Sequence, residues 1–357
     1  MHIQVLTPQD YADDDEVIDF NRKQDFEIIR LPSHPVNIIK WIKRLAAFWD
    51  SLGSFQPQLV IASGARAVWI SGLCLHLWKT PWVLVGHGTE FGLGSGVSAW
   101  LTRWTGNRAD AIICVSAYTL KAMQRMGINQ PTAYIIHNGA DQHSFFTLPD
   151  ADVTHFRFEA GSEDKFVLLT VGKVSDRKGQ EVVIHALPRV LQDYSNVIYW
   201  MAGLPENQRK LEAVASELGV LGAIRFWGRV DLDQLHMLYN ACDLFVMTSR
   251  QLADGDFEGF GIAVLEAGLC GKTALVSDNS GLAEAVKHEV TGIIVPQNDA
   301  DATAKAILSL IESPRTLKNF GLQAQQHVLE NQTWEKVTAR YREVLQYVYQ
   351  DVRKGDT

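Results

Sequence analysis

Short apolar segments alternate with helical patterns along the whole chain. In the first half, the segments that read as strands are residues 2–8, 26–31, 59–62, 82–85, 111–115 and 134–136. In the second half they are residues 166–171, 197–201, 223–226, 244–247, 274–276 and 292–295. Strands that alternate with helices in this way form parallel sheets. The pattern therefore predicts an α/β protein with two successive parallel sheets.

Two amphipathic helices and one acidic loop stand out from this pattern. Residues 38–52 predict a helix with Ile38 and Ile42 on its apolar face and lysines elsewhere. Such a helix usually packs on a core, and the alternative here is contact with a membrane surface. Residues 13–16 are acidic and predict a loop, and residues 334–352 predict the second amphipathic helix.

A polar interval separates the two series of strands. It covers residues 138–164, and we place a hinge there. This divides the chain into an N-terminal domain, residues 1–150, and a C-terminal domain, residues 151–336. A chain of 357 residues is long enough to give each domain its own core.

Composition and cysteine spacing indicate a cytosolic globular protein. Apolar residues make up 46% and charged residues 21%, which is ordinary for a soluble domain. The cysteines are scattered and predict reduced core thiols, not disulfides or a zinc site; they are Cys74, Cys114, Cys242 and Cys270. No secretory signal and no apolar run long enough to span a bilayer is present. The predicted location is the cytoplasm.

The charge is unevenly distributed. The formal net charge of −8 argues against binding to nucleic acid. Residues 30–130, however, contain ten lysines and arginines against three acidic residues, a net charge of +7, and seven of the ten tryptophans. Basic charge together with tryptophan is typical of surfaces that rest on anionic lipid headgroups. We therefore expect peripheral contact with the inner face of a membrane.

A glycine turn flanked by two glutamates is the strongest candidate site. Gly259, Phe260 and Gly261 lead into an apolar segment that predicts a helix, with Glu258 before the turn and Glu266 just over one helical turn in. The free backbone N–H groups at such a helix start suit a diphosphate. The carboxylates could then accept hydroxyl groups of a sugar and a ribose. Taken alone, the spacing of the two glutamates favours a helix-start acid and a solvated face.

Two further segments place polar residues at the carboxyl ends of predicted strands. Gly172, Lys173 and Lys178 lie in the loop between the strand 166–171 and the next helix, with a further cation, Arg177, beside Lys178. His87 follows the strand 82–85. The carboxyl ends of parallel strands face the ligand crevice of an open sheet. Solvated lysines and a structural histidine are the alternatives.

Taken together, these motifs resemble a known family. Residues 258–267 resemble the signature of the retaining family-4 glycosyltransferases of GT-B fold. Residues 171–179 are similar to the Gly-Arg…Lys-Gly loop of that family, with Lys173 in place of the arginine. Residues 86–90 are similar to its His-Gly-x-Glu segment. Further similar segments are residues 270–277, 280–284 and 291–296.

The resemblance implies an architecture and a set of roles. It implies two Rossmann-like domains facing across a cleft, with the last helix, residues 337–357, packing back on the N-terminal domain. It implies that Glu258 contacts the donor sugar and Glu266 the ribose, while Lys173 and Lys178 neutralise the departing diphosphate. His87 would orient the donor sugar and support developing positive charge. The turn 259–261 and Gly172 would bind the donor through their backbone, and neither a metal nor a cofactor is expected.

The residues around the signature also indicate a substrate class. Residues 249–262 are similar to mannosyltransferases that act on phosphatidylinositol-type lipids. This predicts transfer of a hexose, first of all mannose, from a nucleoside-diphosphate sugar to a hydroxyl of a lipid or membrane-borne glycan. Asp254 and Asp256 imitate a metal motif of another glycosyltransferase fold, and we interpret them as an acidic loop.

Departures from the family pattern leave two alternatives open. The segment 2–8 resembles the second strand of the family, so the chain is expected to lack the first β-α unit, and residues 202–205 alter a glycine-rich turn. One alternative is a sugar-nucleotide-binding protein without catalytic activity. The other is a nucleotide-sugar epimerase of the same fold.

Overall fold

The computed structural model describes residues 2–8, 14–31, 37–92 and 96–355. In the first half the strands are β1 (Gln4–Pro8), β2 (Glu27–Leu31), β3 (Val60–Ser63), β4 (Trp82–Gly86), β5 (Ala111–Cys114) and β6 (Ala133–Ile135). The helices there are α1 (Asp14–Arg22), α2 (Asn37–Phe55), α3 (Ala65–Trp78), α4 (Val97–Gly106) and α5 (Ala117–Arg125).

The second half repeats the alternation of strands and helices. Its strands are β7 (Phe166–Val171), β8 (Val197–Ala202), β9 (Ile224–Gly228), β10 (Leu244–Met247), β11 (Thr273–Ser277) and β12 (Gly292–Val295). Its helices are α6 (Asp150–Glu159), α7 (Gln180–Asp193), α8 (Gln208–Glu217), α9 (Leu232–Ala241), α10 (Ile262–Leu269), α11 (Ala300–Glu312), α12 (Pro314–Asn331) and α13 (Trp334–Gly355).

All strand pairs in the described part of the chain are parallel. The first half has a four-stranded sheet in the order β3-β4-β5-β6 and a separate pair, β1-β2. The second half has a six-stranded sheet in the order β12-β11-β10-β7-β8-β9. The predicted architecture of two parallel-sheet α/β domains is confirmed. The order of the second sheet reverses between β7 and β10, and ligands of such sheets bind outside the carboxyl ends of the strands at this point.

The last helix connects the second half to the first sheet. Val337, Val344 and Val348 of α13 are buried in one cluster with Val83 of β4 and Ile113 of β5. Their spacing of seven and four residues places them on one face of the helix. The helix therefore covers the face of the four-stranded sheet opposite to α2 and α3.

The chain passes between the two halves twice, and the two passes are hydrogen-bonded to each other. The N–H of Ala140 donates to the carbonyl of Gln332 at 2.9 Å, and the N–H of Trp334 donates to the carbonyl of Ala140 at 3.3 Å. Thr333 forms an isolated parallel bridge with Ala140. The connection is thus a short paired segment between the two domains.

One prediction of local structure is wrong. Residues 14–16 of the acidic segment belong to α1 and not to a loop, while residue 13 lies outside the described residues. Acidic residues are frequent in the first turn of a helix, so an acidic run can begin one. The polar interval 138–164, in which we place the hinge, contains the helix α6, whose Val153 and Phe156 pack against the core of the second half. Partial burial of these two side chains stabilises a helix in a segment of otherwise polar composition.

All four cysteines are free and buried. Within residues 2–8, 14–31, 37–92 and 96–355, no helix combines the length and the apolar character that crossing a bilayer requires.

Candidate active site

Two loops at the carboxyl edge of the second sheet form the candidate site. The loop after β7 runs from Gly172 to Gly179, and the loop after β10 leads to α10. Because β7 and β10 are neighbours in the sheet, both loops start at the point where the strand order reverses. Gly172 has a φ of +135°, and a Cβ atom there would lie 3.3 Å from the amine of Lys178. The amine of Lys178 therefore packs closely against the backbone of Gly172.

Glu258 is held by two cations. Its Oε2 lies 2.8 Å from Nζ of Lys178 and 2.5 Å from Nη1 of Arg177. The Glu258 and Lys178 side chains are each 13% exposed, and Arg177 also contacts Asp256 through Nε at 3.2 Å. Burial would raise the pKa of Glu258, but the charges and hydrogen bonds of Lys178 and Arg177 hold that pKa below its usual value. Glu258 is therefore an ionised carboxylate at the edge of the sheet.

Glu266 projects from the first turns of α10. The helix begins after Gly261, whose φ of +111° favours glycine, and Glu266 is its fifth residue. Oε2 of Glu266 accepts a hydrogen bond of 2.6 Å from the hydroxyl of Tyr239. Burial raises the pKa of Glu266, opposed by this hydrogen bond and by the charge of Lys178. Lys178 thus acts electrostatically on both glutamates, which the structure brings into one cluster.

The glycine turn before α10 touches the first half of the chain. A Cβ atom on Gly259 would lie 1.7 Å from the carbonyl oxygen of His87. The ring of Phe260 is buried and stacks on His137 with 4.9 Å between ring centroids. Only the backbone of Phe260 can therefore face a ligand. The turn brings the Glu258 loop and the His87 loop into direct contact.

His87 follows β4 at the facing edge of the first sheet. Its backbone N–H and that of Gly88 donate to Oε2 of the buried Glu90, at 3.1 and 2.8 Å. Its Nε2 lies 2.8 Å from Oγ of Ser63, which ends β3. Sequence reasoning missed Ser63, although its place at the end of a strand beside β4 could have indicated it. Two neighbouring strands thus orient the His87 ring.

Lys173 lies apart from this cluster. Its Nζ is 2.7 Å from Oε1 of Glu206, and both side chains are about half exposed, at 48% and 55%. Arg177, five residues after the glycine of the loop, occupies the position beside Lys178 and Glu258. The structure therefore brings Lys178, Glu258 and Glu266 together in one cluster. Arg177 and Tyr239 also contact this cluster, and the Lys173 side chain lies outside it.

A second contact between the halves lies next to the site. The carboxylate of Glu284 accepts hydrogen bonds of 2.8 Å from the backbone N–H groups of Ala117 and Tyr118, at the start of α5, and lies 3.2 Å from Nε2 of His137. Burial would raise the pKa of Glu284, but these hydrogen bonds keep it below its usual value. Ser116 caps α5, and its side chain accepts a hydrogen bond from the N–H of Thr119.

Metal ligands do not cluster around these residues. In the part of the chain that the structure describes, no group of three or more histidine, cysteine, aspartate and glutamate side chains could hold a metal ion. Asp256, the end of the acidic loop, pairs with Arg177. Independence of a metal remains a prediction.

Two family models match the chain. The model described as glycosyl transferases group 1 matches residues 152–327, which contain the Lys178, Glu258 and Glu266 cluster. The model described as glycosyltransferase family 4 matches residues 1–143, which contain His87. The two matches cover the two halves of the structure separately.

Two relatives identified by sequence agree with these family models. A GDP-mannose-dependent alpha-(1-6)-phosphatidylinositol monomannoside mannosyltransferase of Mycolicibacterium smegmatis is 30% identical over 263 residues, 72% of this chain and 68% of that protein. An alpha-maltose-1-phosphate synthase of Mycobacterium tuberculosis is 25% identical over 337 residues, 85% of this chain and 86% of that protein.

Structural similarity extends over nearly the whole chain. The crystal structure of Anabaena HepE in complex with UDP and glucose has a TM-score of 0.81 at 21% identity, covering 96% of this chain and 91% of that chain. WaaG, a glycosyltransferase involved in lipopolysaccharide biosynthesis, has a TM-score of 0.71 at 16% identity, covering 96% and 99%. At these identities the likeness shows the GT-B fold alone. Together with the family models and the relative at 30% identity, it establishes that the chain belongs to the group 1 family of glycosyltransferases.

Proposed function

We propose that the chain is a retaining hexosyltransferase that uses a nucleoside-diphosphate sugar. The observation that carries this proposal is the ion-paired carboxylate of Glu258 beside Lys178, in front of the glycine turn of α10. Cations and free N–H groups at a helix start suit a diphosphate, and a carboxylate next to them suits sugar hydroxyl groups. Glu266, in the same cluster, would accept hydroxyl groups of the ribose.

The proposed reaction exchanges one bond at the anomeric carbon for another on the same face of the sugar. The bond from the anomeric carbon to the diphosphate oxygen breaks, and the acceptor oxygen forms a new bond to that carbon. The acceptor proton passes to a phosphate oxygen of the leaving nucleoside diphosphate. Lys178 and the backbone of Gly172 and residues 259–261 would stabilise the negative charge that develops on the diphosphate.

The cations would bind the diphosphate, whereas His87 would orient the donor sugar. Lys173 is the family's second phosphate ligand by resemblance, while Arg177 is the cation that lies beside Lys178 in the structure. A bound diphosphate would compete with Glu258 for these cations and release its carboxylate to the sugar. His87, held by Ser63 and its own backbone, would orient the donor sugar from the opposite domain.

Mannose is the first choice of sugar, and a membrane-borne acceptor is the first choice of substrate. The relative at 30% identity is named as dependent on GDP-mannose. On α2, Ile38 and Ile42 are exposed by 69% and 61%, and Lys40 and Lys43 lie on the same helix. Exposed apolar residues beside lysines favour contact with an anionic membrane surface. We therefore propose a peripheral, cytoplasmic enzyme that acts on a lipid or a membrane-borne glycan.

A panel of nucleotide sugars tests this proposal. Thermal stabilisation and release of nucleoside diphosphate are measured with UDP-, GDP- and ADP-sugars, with and without a membrane lipid extract. We expect release with GDP-mannose that depends on the extract and is lost in Lys178→Ala. Lys318→Ala, an exposed lysine of α12, is the matched control. No stabilisation and no release with any of these donors would disprove the proposed function.

A further inference from the structure

Tyr239 is a buried side chain to which the proposed reaction assigns no role, although it contacts a residue of the candidate site. Its hydroxyl donates to Oε2 of Glu266 at 2.6 Å. The tyrosine itself is fully buried, at 0% exposure, in the last turn of α9. The other oxygen, Oε1 of Glu266, has no partner among the residues that the structure describes, and it is not enclosed by protein. A ligand can therefore reach Oε1 while Tyr239 holds Oε2.

The ring of Tyr239 is fixed by aromatic side chains from two other elements. Phe145, in the segment before α6, packs edge-on against it, with 5.5 Å between ring centroids and 88° between ring planes. Phe245 of β10 lies on the ring with a centroid distance of 5.8 Å. Edge-to-face contacts of aromatic rings stabilise a core beyond the area that they bury. The hydroxyl group therefore has a fixed position relative to the second sheet.

The end of α9 is also hydrogen-bonded to the segment before α6. The side chain of Asn240, next to Tyr239, donates to the carbonyl of Phe146 at 3.0 Å and accepts from the N–H of Leu148 at 2.9 Å. One turn earlier, Nε2 of His236 lies 2.7 Å from the same carbonyl. These contacts hold the last turn of the helix in place, and the hydroxyl of Tyr239 with it.

The hydroxyl also favours the charged form of Glu266. Burial raises the pKa of Tyr239 well above its ordinary value, and the charge of Glu266 raises that pKa further, so the hydroxyl keeps its proton and donates. Burial raises the pKa of Glu266, whereas the hydrogen bond from Tyr239 and the charge of Lys178 lower it. Burial likewise raises the pKa of the nearby thiol of Cys270, which is therefore neutral. An ionised carboxylate is the stronger acceptor for hydroxyl groups.

We propose that Tyr239 is a positioning residue of the donor site, whose hydroxyl fixes the carboxylate of Glu266 in the orientation that accepts the ribose hydroxyl groups of a nucleoside diphosphate. This inference rests on the proposed function, which assigns the ribose to Glu266. Without the hydroxyl, the carboxylate would lose the one hydrogen bond that the described residues donate to it and would be free to rotate. A tyrosine that only filled the core would contribute to stability and not to recognition of the ribose.

The experiment compares the binding of ribonucleotides and deoxyribonucleotides to the full-length protein. UDP, GDP and ADP are each titrated calorimetrically, together with their 2′-deoxy and 3′-deoxy counterparts. The proteins are the wild type, Tyr239→Phe, Glu266→Gln and the double variant. The matched control is Tyr199→Phe, because Tyr199 is also fully buried and its hydroxyl lies 2.7 Å from Oγ1 of Thr170. Melting temperatures are recorded in parallel and separate a loss of stability from a loss of ribose recognition.

The measured quantity is the ratio of the affinities for the preferred ribonucleotide and for its more weakly bound deoxy counterpart. We expect a ratio of about tenfold or more in the wild type and in Tyr199→Phe, the effect of one hydrogen bond to a charged group. In Tyr239→Phe the ratio should fall below about threefold. In the Glu266→Gln background the same substitution should change affinity by less than about twofold, because the hydroxyl acts through that carboxylate.

A ratio in Tyr239→Phe equal to that of the wild type would overturn the inference and leave the donor site on Lys178 intact. An equal fall in Tyr199→Phe would attribute the effect to core stability and overturn the inference as well. The same holds if Tyr239→Phe weakens binding in the Glu266→Gln background as much as in the wild type, or if the wild type binds a diphosphate without preferring ribose. If the wild type binds none of the three diphosphates, the proposed function itself fails, and the inference fails with it.

Discussion

Lys178 and Glu258 form a nearly buried ion pair of 2.8 Å at the point where the strand order of the second sheet reverses. A carboxylate that only stabilised the loop could be placed anywhere on the surface, whereas this one occupies the ligand edge of a parallel sheet. In the proposed reaction the diphosphate binds to Lys178 in place of Glu258. The carboxylate of Glu258 then becomes available to the sugar. The pair thus links donor binding to the positioning of the sugar.

Substitution of Glu258 tests the role of this carboxylate. Glu258→Gln keeps the size of the side chain and removes the charge that the sugar hydroxyl groups would use. We expect kcat to fall by about 100-fold, the effect of losing one well-placed polar group in an active site. Glu206→Gln, which alters an exposed ion pair of Lys173, is the control. A fall of less than threefold in Glu258→Gln would exclude Glu258 from the reaction.

The values of kcat/KM of three alanine variants, compared with each other, test which side chain is the second phosphate ligand. Arg177 contacts Glu258 at 2.5 Å, whereas Lys173 pairs with the exposed Glu206. We expect Lys178→Ala and Arg177→Ala each to lower kcat/KM by about 100-fold and Lys173→Ala by less than tenfold. Steady-state kinetics with the identified donor sugar provide the comparison. A Lys173 variant as impaired as Lys178→Ala would show that Lys173 turns inward when the donor binds.

The variant Gly259→Ala tests whether the transfer reaction requires the close contact between the two halves. An alanine Cβ at this position would lie 1.7 Å from the carbonyl oxygen of His87, so the two loops could not approach as observed. Misplacing reacting groups by about 1 Å can cost 100-fold in rate. We expect Gly259→Ala to lose about 100-fold in transfer rate and to bind nucleoside diphosphate more weakly than the wild type, because the displaced turn 259–261 belongs to the proposed donor site. Gly222→Ala, where nothing lies within 4 Å of the added Cβ atom, should be neutral in both assays.

Glu284 predicts a pH dependence of stability. Its pKa in the folded protein is below the ordinary value of 4.5, opposed by burial and held there by His137 and two backbone N–H groups. The ionised group therefore stabilises the fold above about pH 4.5, and this contribution is lost as the pH falls from there through the lowered pKa. We expect the melting temperature of the wild type to drop more than that of Glu284→Gln between pH 6 and about pH 3.5. Parallel melting curves would contradict the assignment.

Most of the fold could be predicted because its signals are local. Each strand of the second sheet is a short apolar run, such as residues 166–171 and 244–247, bounded by polar or glycine-rich turns. The helix α6 was not predicted, since Val153 and Phe156 are partly buried against residues distant in sequence. Domain limits and the hinge depend on the same long-range contacts and stay predictions.

The sequence predicts only those site residues whose motif directly follows a predicted strand. Glu258, Glu266 and Lys178 follow strands that are neighbours in the sheet, so their convergence follows from the topology. Tyr239, which donates to Glu266, lies in the last turn of α9, and no spacing in the sequence connects the two. The separation of Lys173 from the cluster depends on Glu206, a contact that only the three-dimensional arrangement of two loops reveals.

Titration of nucleoside diphosphates onto the wild type and Lys178→Ala tests the central claim most directly, because it needs neither the sugar nor the acceptor. Calorimetry is carried out with UDP, GDP and ADP, with Lys318→Ala as the control. We expect the wild type and the control to bind one of the three, and Lys178→Ala to bind it at least tenfold more weakly. Wild-type protein that binds none of them, or Lys178→Ala that binds as tightly as the wild type, would contradict a donor site built on Lys178 and Glu258.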